Sequence, residues 1–192
     1  MRFRSSKDSD VSTIRHTALV GAAACSLVMA GSADAATQGS LGAASTGTVS
    51  IAASVANRAQ ITGLTDVSFS AVDPGSDASS AQSDCVWSNT ATKGYSITAT
   101  GSGTSGAFTL ANGALSVPYS VQWSSSAAQT SGTALTSGTA LTGQTSTALT
   151  PTCVTSPTTT SSLIVSITSP NLQNMVSGTS YTGTLTLLVT PQ

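Results

Sequence analysis

Glutamate is absent from this chain of 192 residues, and its one histidine is His16. A serine nucleophile needs a neighbour that takes its proton, and past position 35 the candidates shrink to Lys93 and four Asp. Lys93 sits beside Gly94 and reads as a hairpin-tip residue. Charge of both signs is scarce, at 7% of residues, which removes the basic surface that nucleic acid or an anionic membrane requires. Zinc sites draw on His and Cys, and neither is in supply. Asp73, Asp77 and Asp84 offer hard oxygens for calcium but lack EF-hand spacing. The Gly-rich stretch 101–106 lacks the Lys of a phosphate-cradling loop. We expect no enzyme, no cofactor and no bound metal. The longest apolar run, residues 18–30, falls short of the roughly 20 residues of a membrane span, so no membrane insertion of the mature chain is expected.

The few charges present are placed unevenly. Arg2, Arg4, Lys7 and Arg15 precede that apolar run, and Ala33-Asp34-Ala35 supplies the small-x-small pattern of a signal-peptidase site. Residues 1–35 read as a signal peptide cut after Ala35. Cys25 lies inside the run without the Leu that lipidation favours three places upstream, so a discarded leader residue is preferred. The remaining 192 − 35 = 157 residues suit one domain. They carry Arg58 and Lys93 against Asp66, Asp73, Asp77 and Asp84, or 2 − 4 = −2. Cys85 and Cys153 remain, and export to an oxidising compartment favours a disulfide between them. Closing so long a loop stabilises a fold by roughly 4 kcal/mol. Two buried free thiols are the alternative.

Apolar residues recur with period two, the signature of half-buried strands. Residues 46–56 place Val49, Ile51, Ala53 and Val55 on one face, after a Gly-rich lead-in at 36–45 with no strand signal. Asn57-Arg58 break the pattern. A second strand region is expected from 59 to 69, with Val67, Phe69 and Ala71 alternating, then a turn at 73–77 and a polar loop at 78–83. Cys85-Val86-Trp87 opens the next strand, and Tyr95, Ile97 and Ala99 alternate after a turn at 92–94. Phe108 and Leu110 lead to Asn112-Gly113, a hairpin signal. Val117, Tyr119, Val121 and Trp123 share one side, with Pro118 marking an edge or a strand start. Residues 124–150 repeat TALT and read as long polar hairpins rather than a solenoid. Leu163, Val165 and Ile167 form a strand stopped by Pro170. A single helical turn is expected at 171–175, and Leu185, Leu187 and Val189 face inward on the closing strand. Seven or eight short strands and no long helix indicate an all-β, antiparallel β-sandwich.

The leader, the opening GTVSIAASV with its break and ITGL, the segment CVWSN with GYSITATGSG, and the ending SYTGTLTLLVTP together resemble a chaperone-usher type pilus (fimbrial) subunit. The similarity is nearest to the alternative colonisation-factor group and to spore coat protein U-like domains, though the cysteine such domains often carry near 57–60 is missing. The resemblance implies an immunoglobulin-like sandwich that is incomplete and is finished by donor-strand exchange. It divides the chain into signal peptide 1–35, N-terminal extension 36–56 and subunit domain 57–192. Val49, Ile51, Ala53 and Val55 would be the donor strand, and Leu185, Leu187 and Val189 the acceptor-groove strand. Expected partners are identical or related pilus subunits, a periplasmic chaperone and an outer-membrane usher. The expected location is a cell-surface fibre reached through the periplasm, serving adhesion or biofilm.

The physics of strand addition gives the same reading. A sandwich short of one strand exposes an apolar groove and an unpaired edge, and an added strand satisfies both. The alternative is a self-contained, secreted, lectin-like module that does not polymerise, with Trp87, Tyr95, Tyr119 and Trp123 offering stacking surfaces.

Overall fold

The computed structural model describes residues 36–192. The expected signal peptide, 1–35, lies outside the described residues. The chain divides into two units, Met1–Ala53 and Ser54–Gln192.

In the first unit, Thr37 and Thr48 form an isolated antiparallel bridge and exchange both backbone hydrogen bonds at 3.0 Å. The lead-in expected to be featureless thus holds one pairing. The strand expected over 46–56 does not form, because apart from Thr48 none of its residues belongs to a ladder. Alternation gives a segment an apolar face, but a strand exists only where N–H and C=O groups meet a partner.

The second unit contains ten strands rather than the seven or eight expected: β1 (Ala59–Thr62), β2 (Ala78–Ser88), β3 (Gly94–Gly101), β4 (Thr109–Asn112), β5 (Leu115–Pro118), β6 (Ser120–Ser124), β7 (Thr133–Ala134), β8 (Ala140–Thr145), β9 (Ser161–Ile167) and β10 (Leu185–Pro191), with one short helix, α1 (Ser169–Gln173). A five-stranded sheet runs β1-β2-β9-β6-β7, a three-stranded sheet runs β10-β3-β8, and β4 and β5 form a hairpin. Every ladder is antiparallel. Val86, Val121, Trp123, Leu163 and Val165 from the larger sheet meet Tyr95, Ile97 and Ala99 of β3 in one buried cluster. The fold is an all-β antiparallel sandwich.

Local chemistry explains most of the elements. β9 reads SSLIVSI and is covered on nearly every residue, as a strand between two neighbours should be. The Asn112-Gly113 signal closes the β4–β5 hairpin, with Asn112 opposite Leu115 and Gly113 at φ 59°, a backbone region glycine enters without steric penalty. Lys93 takes φ 53° at the tip between β2 and β3, and its N–H donates to Thr90 O at 2.9 Å. Thr168 caps the helical turn without a side-chain bond. Asp77 Oδ1 instead accepts from Ser169 N at 2.7 Å.

Other expectations need correction. Residues 78–83 are not a loop: they are the first half of β2 and pair with β9 from Ala78↔Ile167 to Asp84↔Ser161. Their Ser and Ala side chains are too small to show a large-apolar alternation, so only the strong neighbour β9 reveals the strand. The second strand region stops at Thr62, where Gly63 turns to φ 83°, and Ala71, expected to alternate inward, is exposed at φ 51°. The run 115–124 is two strands, because Pro118 has no N–H to continue a ladder. The chain changes partners there, from β4 to β9 and β7. The TALT repeats supply β7 and β8, and β8 joins the three-stranded sheet as a structural strand.

Cys85 of β2 is bonded to Cys153, 68 residues on, with Cα atoms 6.4 Å apart. This removes the free-thiol alternative. The bridge is buried with Ala148, and Trp87 packs over it. Beside it, Thr160 takes the place of a strand neighbour: its hydroxyl accepts from Val86 N at 3.0 Å and bonds Val86 O at 3.1 Å.

Candidate functional site

The sandwich is not closed along β10. This strand pairs with β3 without interruption from Leu185↔Gly101 to Pro191↔Tyr95, and among the described residues its other edge has no partner. The opposite edge of the same sheet is built differently. Where β8 pairs with β3 the register shifts between Tyr95 and Ile97 of β3, and Gly143 of β8 sits at φ 72°, a bulge of the kind that blunts an edge. β10 carries no charge, no bulge and no proline before its last residue. A long, flat, uncharged edge is a template for another strand.

Beside that edge lies a cleft of about 940 Å³. Its floor is the inner face of β9, with Leu163, Val165 and Ile167. Leu185 and Leu187 form one wall, while Val67, Phe69 and Val72 from the strandless stretch after β1 form the other. Leu172, Met175 and Tyr181 stand at its far end. The second wall is held by a side chain where a ladder would otherwise be. Gln82 accepts from Thr65 N at 2.7 Å and donates to Thr65 O at 3.0 Å, satisfying one residue's backbone as a neighbouring strand would. Tyr119 contributes its ring to the cleft and packs on Phe108 with centroids 5.7 Å apart. Burial pushes its hydroxyl above the ordinary tyrosine range.

The cleft has a direction. β1 approaches β10, and Ala59, which opens β1, lies opposite Ser88. The Ser88 hydroxyl donates to Gly94 O at 2.9 Å, and Gln192 N donates to the same carbonyl at 3.0 Å. The chain therefore joins the sandwich at the Pro191 end of β10. The cleft lies toward the Leu185 end, where Tyr181 and Met175 are.

Of the residues singled out in the sequence, Leu185 and Leu187 line the cleft, whereas Val189 is half-buried against the core and does not. Val49, Ile51 and Val55 are 75%, 91% and 80% exposed, a concentration of large apolar surface unusual outside a contact region. Ala53, between them, is exposed as well. The three Asp weighed for calcium do not converge. Asp73 accepts from Gly75 N at 2.8 Å, Asp77 serves the helix, and Asp84 is fully buried between the sheets. Among the stacking candidates, Tyr95 and Trp123 are in the core, joined by Trp123 Nε1 donating to the Tyr95 hydroxyl at 3.2 Å. Sequence reasoning missed the wall and end of the cleft, above all Phe69, Leu172 and Tyr181 acting together. Its available signals were the Val67–Phe69 alternation, read there as a strand, and the helical turn expected at 171–175, which carries Leu172 and Met175.

Among the described residues no helix is long and apolar enough to cross a membrane. No protein-family model matches the chain, and no curated protein sequence matches it.

Proposed function

We propose that this protein is a structural subunit of an exported surface fibre, polymerised when residues 49–55 of one copy enter the cleft beside β10 of the next. The observation that carries the reading is supply and demand within one polypeptide. An exposed stripe with period two, Val49, Ile51, Ala53 and Val55, accompanies an apolar cleft flanked by an unpaired edge of matching length. Strand addition would satisfy the β10 backbone while alternate side chains fill the cleft. Burying three such side chains contributes about 5 to 8 kcal/mol before ordering costs.

The direction of the cleft favours an open chain of subunits. The donated segment joins its own sandwich at the Pro191 end of β10, and the acceptor cleft lies toward the other end. Contacts between two different patches are heterologous, and unless they close into a ring they build a filament. Such a cleft exposed in an unassembled subunit invites aggregation, which accounts for the expected periplasmic chaperone. An outer-membrane usher would then order the exchange. Adhesion or biofilm formation is the role such a fibre would serve.

The test is assembly in the presence of its export partners. Fibres are expected to resist SDS at room temperature and to dissociate on boiling, and Ile51→Asp should abolish the ladder of multimers while leaving the monomer's melting temperature unchanged. A chain of residues 57–192 that is a stable, soluble monomer, and that gains no stability from a peptide of residues 46–56, overturns the proposal.

A further inference from the structure

The geometry points to a binding site for an acidic sugar on the outer face of β1 and β2, in which Trp87 stacks on the ring, Arg58 pairs with its carboxylate and Gln60 bonds a hydroxyl. This inference does not depend on polymerisation. Of the two tryptophans, Trp123 is 1% exposed and in the core, while Trp87 is half-buried. The ladder sets the company Trp87 keeps. Gln60 lies directly opposite it, and one step on, Arg58 and Asn89 exchange bonds: Arg58 N donates to Asn89 Oδ1 at 2.6 Å and Asn89 N to Arg58 O at 3.1 Å. Residues opposite one another in an antiparallel pair project to the same face. The intervening Ile61, Val86 and Ser88 turn inward.

Arg58, Ala59, Gln60, Trp87 and Pro151 together line an open cleft of about 340 Å³, at the small end of ligand-site volumes. One side of the Trp87 ring is set in place by the Cys85–Cys153 bridge and Ala148, so little ordering is lost when a ligand meets the rest of it. Trp87 offers an aromatic face with a polar handle. Arg58 is the one arginine among the described residues, and its side chain is exposed to solvent. A planar guanidinium matches a carboxylate with two parallel bonds. The residues past position 35 carry a net charge of −2, so no general attraction for polyanions assists, and the preference rests on this one local cation. A small cleft with one cation, one aromatic plate and one amide suits a single uronate-type residue better than a long anionic polymer.

The test is a tryptophan-fluorescence titration of the purified protein with D-glucuronate and, in parallel, D-glucose. Trp123 is shielded by the core, so the signal reports Trp87. Saturable quenching by glucuronate is expected, with glucose about tenfold weaker, the equivalent of one charge-assisted bond. Arg58→Gln leaves the reporting Trp87 in place and should bring glucuronate to the level of glucose. Arg58 is an exposed side chain, so this variant should fold as the natural chain does and carries the decision. No saturable response to glucuronate, or equal response of Arg58→Gln and the natural chain, overturns the assignment.

Discussion

Replacing Asp84 by Asn should make the protein more stable at neutral pH, against the usual expectation for a buried residue that makes a hydrogen bond. The Asp84 side chain is 0% exposed, Oδ1 accepts from the Ser161 hydroxyl at 2.6 Å, and Oδ2 has no partner. Desolvation raises its pKa from 3.8 to about 6, only partly offset by the Ser161 bond. The folded chain therefore keeps a proton that the unfolded chain releases, so the stabilisation is complete below about pH 3.8 and is lost as pH rises through about 6. Two pKa units at 1.36 kcal/mol each make the loss roughly 3 kcal/mol by pH 7.5. An amide retains an acceptor for Ser161 and cannot ionise. Asp84→Asn should then melt higher than the natural chain at pH 7.5, by roughly 10 °C if the whole term is recovered, and the two curves should converge near pH 4. The assay is thermal unfolding by circular dichroism at half-unit steps from pH 4 to 8. Parallel pH profiles for both chains, or a lower melting temperature for Asp84→Asn at pH 7.5, would refute the reasoning.

Two further outcomes follow from the core. Converting both Cys85 and Cys153 to Ala removes a cross-link spanning 68 residues, and urea unfolding should show a loss of roughly 4 kcal/mol. A loss under about 1 kcal/mol would mean the reduced chain is already constrained. Tyr95→Phe removes the oxygen that accepts from Trp123 Nε1, leaving a buried N–H unpaired. The same measurement should show a loss of about 1 to 3 kcal/mol, with a changed near-ultraviolet tryptophan signal.

How far the fold could be read from the chain depends on side-chain size. Strands with large alternating residues, such as β3, β9 and β10, were legible because a period of two in Ile, Leu, Val and Tyr fits a pleated strand and would scatter around a helix. Residues 78–83 were not legible, since Ser and Ala mark neither face; their strand exists through the ladder to β9. Pro118 was recognised as an interruption, but whether the strand ends there or shifts sheets depends on which neighbours lie on each side. That Leu185 and Leu187 turn to the same side of the closing strand was anticipated, and they form one wall of the cleft. Its depth was not anticipated, because the cleft is the space between residues as far apart in the chain as Phe69, Val165 and Tyr181.

The sequence by itself determined the class of molecule: a chain with almost no charge, no Glu, one early histidine and recurrent period-two apolar residues can bury a β core and has few groups for acid–base chemistry. It also determined that residues 49–55 have a face suited to a strand. Only the tertiary structure decided that this face stays exposed, that the cleft lies beside β10 and not β8, and that Asp84 is sealed between sheets. Composition and periodicity are local properties, whereas an open edge, a void or a desolvated carboxylate is defined by what distant parts of the chain leave uncovered.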